Sequence, residues 1–369
     1  AVQLLTEVED LEESIASETD KEKKRVLKKQ RTVKKNQAKT IKEDYIPRLK
    51  KYEKHREILG DRNSYSKTDN DATFMRLKDD HMKNGQLKAA YNIQLATQNQ
   101  YVVGFDIFQR PGDTLCFQPF MEKLLNRRYL PSPEIVVADA GYASEQNYLY
   151  SIGDEKDPRF QMLVPYNTYV KEKTRKFKKD IKQVKNWTYL EEEDCYICPN
   201  NRRVEFKFYR TRKEKDGFKR DFKIYECEDC SDCPLKELCT KAKGNRQVHY
   251  NPVYEEMKGK AKTALEDETL AALYTQRKID VESVFGNLKG NLSFTRFLLR
   301  GLTKVRTEFG LVAMAHNLRK LVGHRLANSL KSADFTIFSS NRKTFISQKT
   351  RKGVPRKVQY GLFRHSPCF

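Results

Sequence analysis

Six of the chain's eight cysteines fall between Cys195 and Cys239. They read "CYIC" and then, after a gap of 28 residues, "CEDCSDCPLKELC". Two thiolates two residues apart can grip one metal ion, and a second pair from a distant loop completes a tetrahedron. With no secretion signal at hand, such spacing points to metal ahead of disulfides. Six thiols exceed one tetrahedral site. The preferred ligands are Cys198, Cys230, Cys233 and Cys239, with Cys195 and Cys227 as alternates and His249 as an outside candidate. A structural Zn2+ is expected, holding together an insert short of apolar residues for its own core. An iron–sulfur cluster or plain reduced thiols are the alternatives. Cys116 and Cys368 stand apart from the cluster.

Two acids form a second constellation. In "EIVVADAGYASEQNYLY" (residues 134–150), Asp139 sits where a buried apolar run gives way to a helix. Gly141 permits a tight turn, and Ser144 can cap the following helix, with Asn147 in its first turn. Glu282 lies in "LYTQRKIDVESVFGNLKGNLSFTRFLLRG" (residues 273–301). Read as a helix, this stretch puts Tyr274, Val281, Phe285 and Leu288 on one face, and Lys278, Glu282, Gly286 and Lys289 on another. A carboxylate flanked by cations suits a metal ion beside phosphates, with Gly286 letting a backbone approach. A surface helix with ordinary salt bridges, and an Asp139 that merely caps a helix, are the plainer readings.

These residues need elements to hold them. "AAYNIQLATQ" (89–98) and "QYVVGFDIFQ" (100–109) alternate as two strands of a hairpin. "DTLCFQPFMEKLLNRR" has helical periodicity through Leu115, Phe120, Leu124 and Leu125. The strand Ile135–Ala138 follows. Strand, strand, helix, strand implies an α/β or mixed α+β core with its chemistry at strand ends. Helical periodicity returns from about Glu266 to Val322. Residues 21–56 hold sixteen Lys/Arg against four Asp/Glu, with a thin stripe of Leu49, Tyr52 and Leu59, and read as basic helices broken at Pro47. The last 45 residues hold ten Lys/Arg and one acid, and read as a poorly ordered basic tail.

Composition narrows the partner. The 369 residues carry 72 Lys+Arg against 50 Asp+Glu, a formal charge of +22. Each cation that neutralises a phosphate releases a counterion, so nucleic acid is the favoured partner over an acidic membrane surface. No stretch approaches 18 apolar residues, which argues against a transmembrane helix. The first residues, "AVQLLTEVEDLEES", are acidic and amphipathic and unlike a signal peptide.

Together, "TDNDATFM", "NGQLKAAYNIQLAT", "VVADAGYASE", the cysteine run and "VESVFGNLKGNLSFTRF…RG…EFGLVAMAHNL" resemble the DDE transposases of bacterial insertion sequences. The subgroup is the one with a cysteine-containing insertion before the last acid, and the likeness covers roughly residues 66–322. It implies an RNase H-like core (66–190 and 246–322) interrupted by a zinc-ribbon-like insertion (191–245), after a basic helical segment (1–65) and before the tail (323–369). It implies that Asp139 and Glu282 are metal-binding catalytic acids. Arg277 or Lys278, with Lys289, Arg296 and Arg300, would bind DNA phosphates. It further implies Mg2+ in a two-metal site for cleavage and joining of phosphodiesters, double-stranded DNA at the ends of a mobile element as partner, a homodimer, and a bacterial cytoplasmic, nucleoid-associated setting. The family's first Asp lies on a strand well upstream of "YNIQ". Nothing before Tyr91 reads as that strand, so the chain is expected to be truncated, with Asp69 and Asp71 as the nearest acids. A non-catalytic DNA-binding derivative is the competing function.

Overall fold

The computed structural model describes residues 2–77, 84–127, 131–153, 158–338 and 359–365. The chain divides into two units, Ala1–Phe74 and Met75–Phe369. In the first, acidic α1 (Val2–Ser17) packs antiparallel on basic α2 (Lys21–Thr40). Glu7 pairs with Lys34 at 2.6 Å and Glu12 with Arg31 at 3.7 Å, so part of the positive charge of α2 is answered within the unit. Asp20 caps α2 by accepting the Glu22 N–H at 2.9 Å. Pro47 does not break the basic segment. It falls in the first turn of α3 (Ile46–Leu59), where its missing N–H costs little. A π turn over Ile41–Tyr45 joins α2 to α3.

In the second unit the strands follow the expected order. β1 (Thr73–Arg76) crosses the unit boundary, and β2 (Leu87–Ala90) leads into β3 (Asn92–Gln98) and β4 (Tyr101–Phe108). β3 and β4 form the expected hairpin, turning through Asn99 and Gln100 at φ 51° and 64°. Such left-handed pairs match the twist of the flanking strands. After α4 (Phe117–Leu125) comes β5 (Ile135–Ala138), then α5 (Glu145–Ile152) and β6 (Gln161–Leu163). β5 is apolar throughout because both its faces are covered. Val136 and Ala138 join Phe117, Phe120 and Tyr148 in the main core, while Ile135 and Val137 meet the helix carrying Leu270 and Leu273.

The sheet order is β4-β3-β12-β5-β6, and its centre is the C-terminal strand β12 (Gln359–His365). β12 runs antiparallel to β3 and parallel to β5. The fold is therefore mixed α/β, as expected. The C-terminal segment differs from the expected tail. One long helix, Leu302–Phe338, runs past Val322, and residues 359–365 are a sheet strand; the remaining tail residues lie outside those described.

Between β6 and the C-terminal helices come two short helices, α6 (Tyr169–Glu172) and α7 (Arg175–Lys179). A second, all-antiparallel sheet follows: β7 (Thr188–Leu190), β8 (Cys195–Ile197), β9 (Arg203–Lys213), β10 (Lys219–Cys227) and β11 (Gln247–Tyr250). The short α8 (Lys236–Cys239) lies between β10 and β11. Contrary to expectation, this insert has an apolar core, built from Trp187, Tyr196, Val204, Tyr225 and Val248 with Cys227 and Cys230. The main domain then resumes with α9 (Pro252–Glu266), α10 (Glu268–Arg277), α11 (Ser283–Gly286) and α12 (Leu302–Phe338).

α12 covers the sheet edge. Asn317 accepts the Val102 N–H and donates to its carbonyl, both at 2.8 Å, replacing the pairing that edge strand β4 lacks. Asp106 of β4, 3% exposed, meets Arg306 of α12 at 2.7 Å and also pairs with Lys123 of α4.

Candidate active site and metal centre

Asp139 stands at the C-terminal end of β5, half-buried, its carboxylate accepting the Ala140 N–H at 2.8 Å. Ser144, not Asp139, caps α5, accepting the Asn147 N–H at 3.2 Å. The turn after Asp139 is held from below by polar side chains that sequence reading missed. Asn92 donates to Asp113 at 2.9 Å, Gln94 donates to Asn92 at 2.8 Å and to Asp113 at 3.2 Å, and Tyr142 donates to Gln94. Gly141 eases the fit here: a Cβ would lie 3.3 Å from the Asp113 carboxylate, which would have to give by a few tenths of an ångström. The only sequence sign of this network was polar residues on the inward positions of "YNIQ".

The second acid arrives on the helix that crosses β5. Leu270, Leu273 and Tyr274 of α10 pack on Ile135 and Val137. This brings Tyr274 close enough to Asp139 to feel its charge. Burial chiefly raises the Tyr274 hydroxyl; Arg277 lowers it and the Asp139 carboxylate raises it. Arg277 lies 5.5 Å from the Tyr274 ring and hydrogen-bonds its side chain, is 7% exposed, and among the described residues has no hydrogen-bond partner for its buried Nε and Nη1. Lys278 points to solvent. Of the two candidates, Arg277 is the one held against Tyr274, whose hydroxyl also feels Asp139.

Beyond Arg277 the helix widens into a π turn, Lys278–Glu282, then α11, then a second π turn, Asn287–Asn291. A π turn holds an extra residue. The apolar face is as expected: Val281, Phe285 and Leu288 are buried, while Lys278, Glu282 and Gly286 are exposed and Lys289 is half-buried. A Cβ on Gly286 would meet no atom within 4 Å, so packing inside the chain does not require glycine there. Arg296 and Arg300 project from a loop pinned by buried Phe294 and Phe297. Glu308 steadies that loop by accepting the Leu298 and Leu299 N–H groups at 2.9 and 3.0 Å.

Asp69 and Asp71 belong to the other unit, where Asp69 makes a local turn by accepting the Asp71 N–H at 3.2 Å. Among the described residues no three His, Cys, Asp or Glu side chains stand in metal-holding geometry. Among the described residues no third acid joins Asp139 or Glu282 in such a group.

The cysteines are closer to a centre. Cys198, Cys230, Cys233 and Cys239 line one cavity of about 20 Å³, and Cys227 lines it too. Backbone N–H groups of Arg202 and Arg246 point at the Cys198 and Cys230 sulfurs at 3.4 and 3.5 Å. Burial, then the neighbouring Cys230, pushes the Cys227 thiol up to about 12. Cys195 does not line this cavity; it accepts from Arg203 at 3.7 Å. His249 does not line this cavity either, and its Nδ1 pairs with Arg212 at 2.8 Å.

Comparison with known families agrees with this picture for one segment. Residues 197–322, about a third of the chain, match the family model described as a transposase DDE domain. No curated protein and no solved structure matches. The match supports a DDE transposase and, with it, an RNase H-like fold. Such domains generally use a divalent metal such as Mg2+. The matched segment contains Glu282, Lys289 and five of the clustered cysteines, while Asp139 lies before it. Among the described residues no helix is long and apolar enough to cross a membrane.

Proposed function

We propose that this chain is an insertion-sequence transposase that engages duplex DNA through its cations, and that Asp139 and Glu282, joined by no third acid among the described residues, leave it weak or inactive in cutting. In this reading Asp139 and Glu282 are two of three metal-binding acids. The observation that carries the reading is Arg277: a buried cation with donors unused among the described residues, held against Tyr274, whose hydroxyl also feels Asp139. A buried guanidinium without a carboxylate is costly, and a phosphate oxygen answers its open donors well. Lys278, Lys289, Arg296 and Arg300 extend the same contact along the backbone of the DNA, positioning it without reading sequence. No reaction step is assigned to Mg2+, because among the described residues no third acid joins Asp139 or Glu282.

The insert between the two halves of the catalytic domain, expected at 191–245, holds a structural Zn2+ in this reading. Five cysteines around one small cavity, two of them facing backbone N–H groups, support it. Cys227 competes for a ligand position, and Cys195 is set aside. Zn2+ binding would draw protons from these thiols, so uptake should strengthen as pH rises. The domain boundaries, the homodimer, the bacterial nucleoid setting and the element ends as target belong to the same proposal.

Asp139→Asn tests the catalytic half. Fluorescence anisotropy on a labelled duplex should give the same dissociation constant for parent and variant within about twofold, while Arg277→Ala weakens binding about tenfold, the loss of one charge-assisted contact. Parent protein that ignores duplex DNA at about 0.1 M salt, where basic DNA binders still hold, would remove the reading.

A further inference from the structure

β9 and β10 are longer than the sheet they belong to. β8 pairs only with Arg203–Glu205, and β11 only with Lys223–Glu226. Between these anchors, from about Lys207 to Phe222, β9 and β10 pair with each other alone and form a two-stranded ribbon closed by the turn at Gly217. Seven Lys/Arg and three Asp/Glu lie in that span. All three acids are engaged within the ribbon: Glu214 faces Arg220 at 3.5 Å, Asp221 accepts from Thr211 at 2.5 Å and Asp216 accepts the Phe218 N–H at 3.2 Å, while Arg220 also lies 3.8 Å from Glu145 of α5. Arg210 and Arg212 meet no carboxylate among the described residues.

Register sorts the side chains. Arg210 opposes Phe222 and Arg212 opposes Arg220, so these four share one face of the ribbon. Tyr209, Thr211 and Lys213 alternate onto the other. Arg212 lies 5.0 Å over the Phe222 ring and hydrogen-bonds His249, which aligns its guanidinium along the face. The positive field is felt there: after burial, Arg212, Arg210 and Arg246 all lower the basicity of His249. Phe208 and Tyr209 remain 48% and 68% exposed, unusual for aromatics on a solvated hairpin.

We infer that the β9–β10 ribbon is a second DNA contact, laid into the major groove of a duplex by its Arg210/Arg212 face. The inference rests on DNA being the partner proposed above. A major groove about 12 Å wide admits a two-stranded ribbon. Arginines on the inserted face reach base edges and phosphates, and Phe208, which alternation puts on the same face, covers sugar and thymine methyl surface. The ribbon lies in the insert, outside Asp139 and the helix carrying Glu282, so it holds DNA away from the reacting phosphodiester.

The test uses the full chain carrying Arg210→Ala and Arg212→Ala together, with Arg210→Lys/Arg212→Lys as the charge-conserving companion. Dissociation constants on one labelled duplex are measured across a salt series, with guanine N7 methylation as the groove probe. The alanine pair should bind about tenfold more weakly, and its log–log salt slope should fall by about 1.8, two contacts at about 0.9 each. The lysine pair should keep the slope. Guanine N7 protection in the parent should vanish in the alanine pair. Matching thermal melts show that the exposed substitutions leave the fold intact. Unchanged affinity, slope and protection, with parent binding intact, overturns the ribbon contact alone; a parent that binds no duplex overturns the DNA reading as well.

Discussion

Arg277 is the residue on which stability and function pull in opposite directions. Its guanidinium is buried with two nitrogens unanswered among the described residues, which costs folding energy unless a ligand supplies the partner. Arg277→Met should therefore hold or raise the melting temperature while weakening duplex binding about tenfold, one lost charge-assisted contact. A calorimetric scan beside an anisotropy titration checks both. Asp106 is the contrasting case, a buried acid already answered by Arg306 and Lys123. Asp106→Asn should cost about 2 kcal/mol in a urea melt, the worth of hydrogen bonds to a charged group. Glu145 carries a pH signature. Burial raises its carboxyl above the ordinary range, against the lowering pull of Asn251 and Arg220. Stability from this group is present below the unfolded value and is lost as pH rises through the higher folded value. Glu145→Gln keeps the Asn251 contact, so it should raise the melting temperature at pH 7 and flatten its fall as pH rises above the ordinary carboxyl range.

At the scale of elements, the sequence was legible where pattern and burial agree. The apolar run at residues 135–138 reads as a strand because both faces of β5 are covered, and the 92–108 hairpin reads from alternation around an Asn-Gln turn. Asp139 at a strand end and the buried stripe of Val281, Phe285 and Leu288 were visible the same way. The π turns were not, because an inserted residue leaves composition unchanged and only shifts spacing. Spacing left two alternates open among the cysteines: the preferred Cys198, Cys230, Cys233 and Cys239 line one cavity, Cys227 lines it too, and Cys195, three residues before Cys198 and on strand β8, does not. If the insert holds zinc, metal analysis should find about one Zn2+ per chain. Cys233→Ser should lower that content, and Cys195→Ser should leave it unchanged.

For the whole molecule, charge was legible and connectivity was not. A formal charge of +22 points to a polyanion, and exposed cations are spread over the insert and the loop after Glu282. The strand at the centre of the main sheet comes from residues 359–365, far along the chain from its neighbours, and no local pattern announces such a long-range pairing. Its place matters for the chemistry. Leu362 pairs with Ala138, so the strand beside Asp139 is β12, and positions 359–365, "QYGLFRH", offer no carboxylate. The proposed function is duplex binding by a transposase whose Asp139 and Glu282 are joined by no third acid among the described residues. Nicking of supercoiled plasmid in Mg2+, parent against Asp139→Asn at matched bound fraction, tests it most directly. The account predicts binding by both proteins and no nicking by the parent above the variant. Mg2+-dependent nicking by the parent that Asp139→Asn abolishes would contradict it, and would mean that a third ligand completes the site.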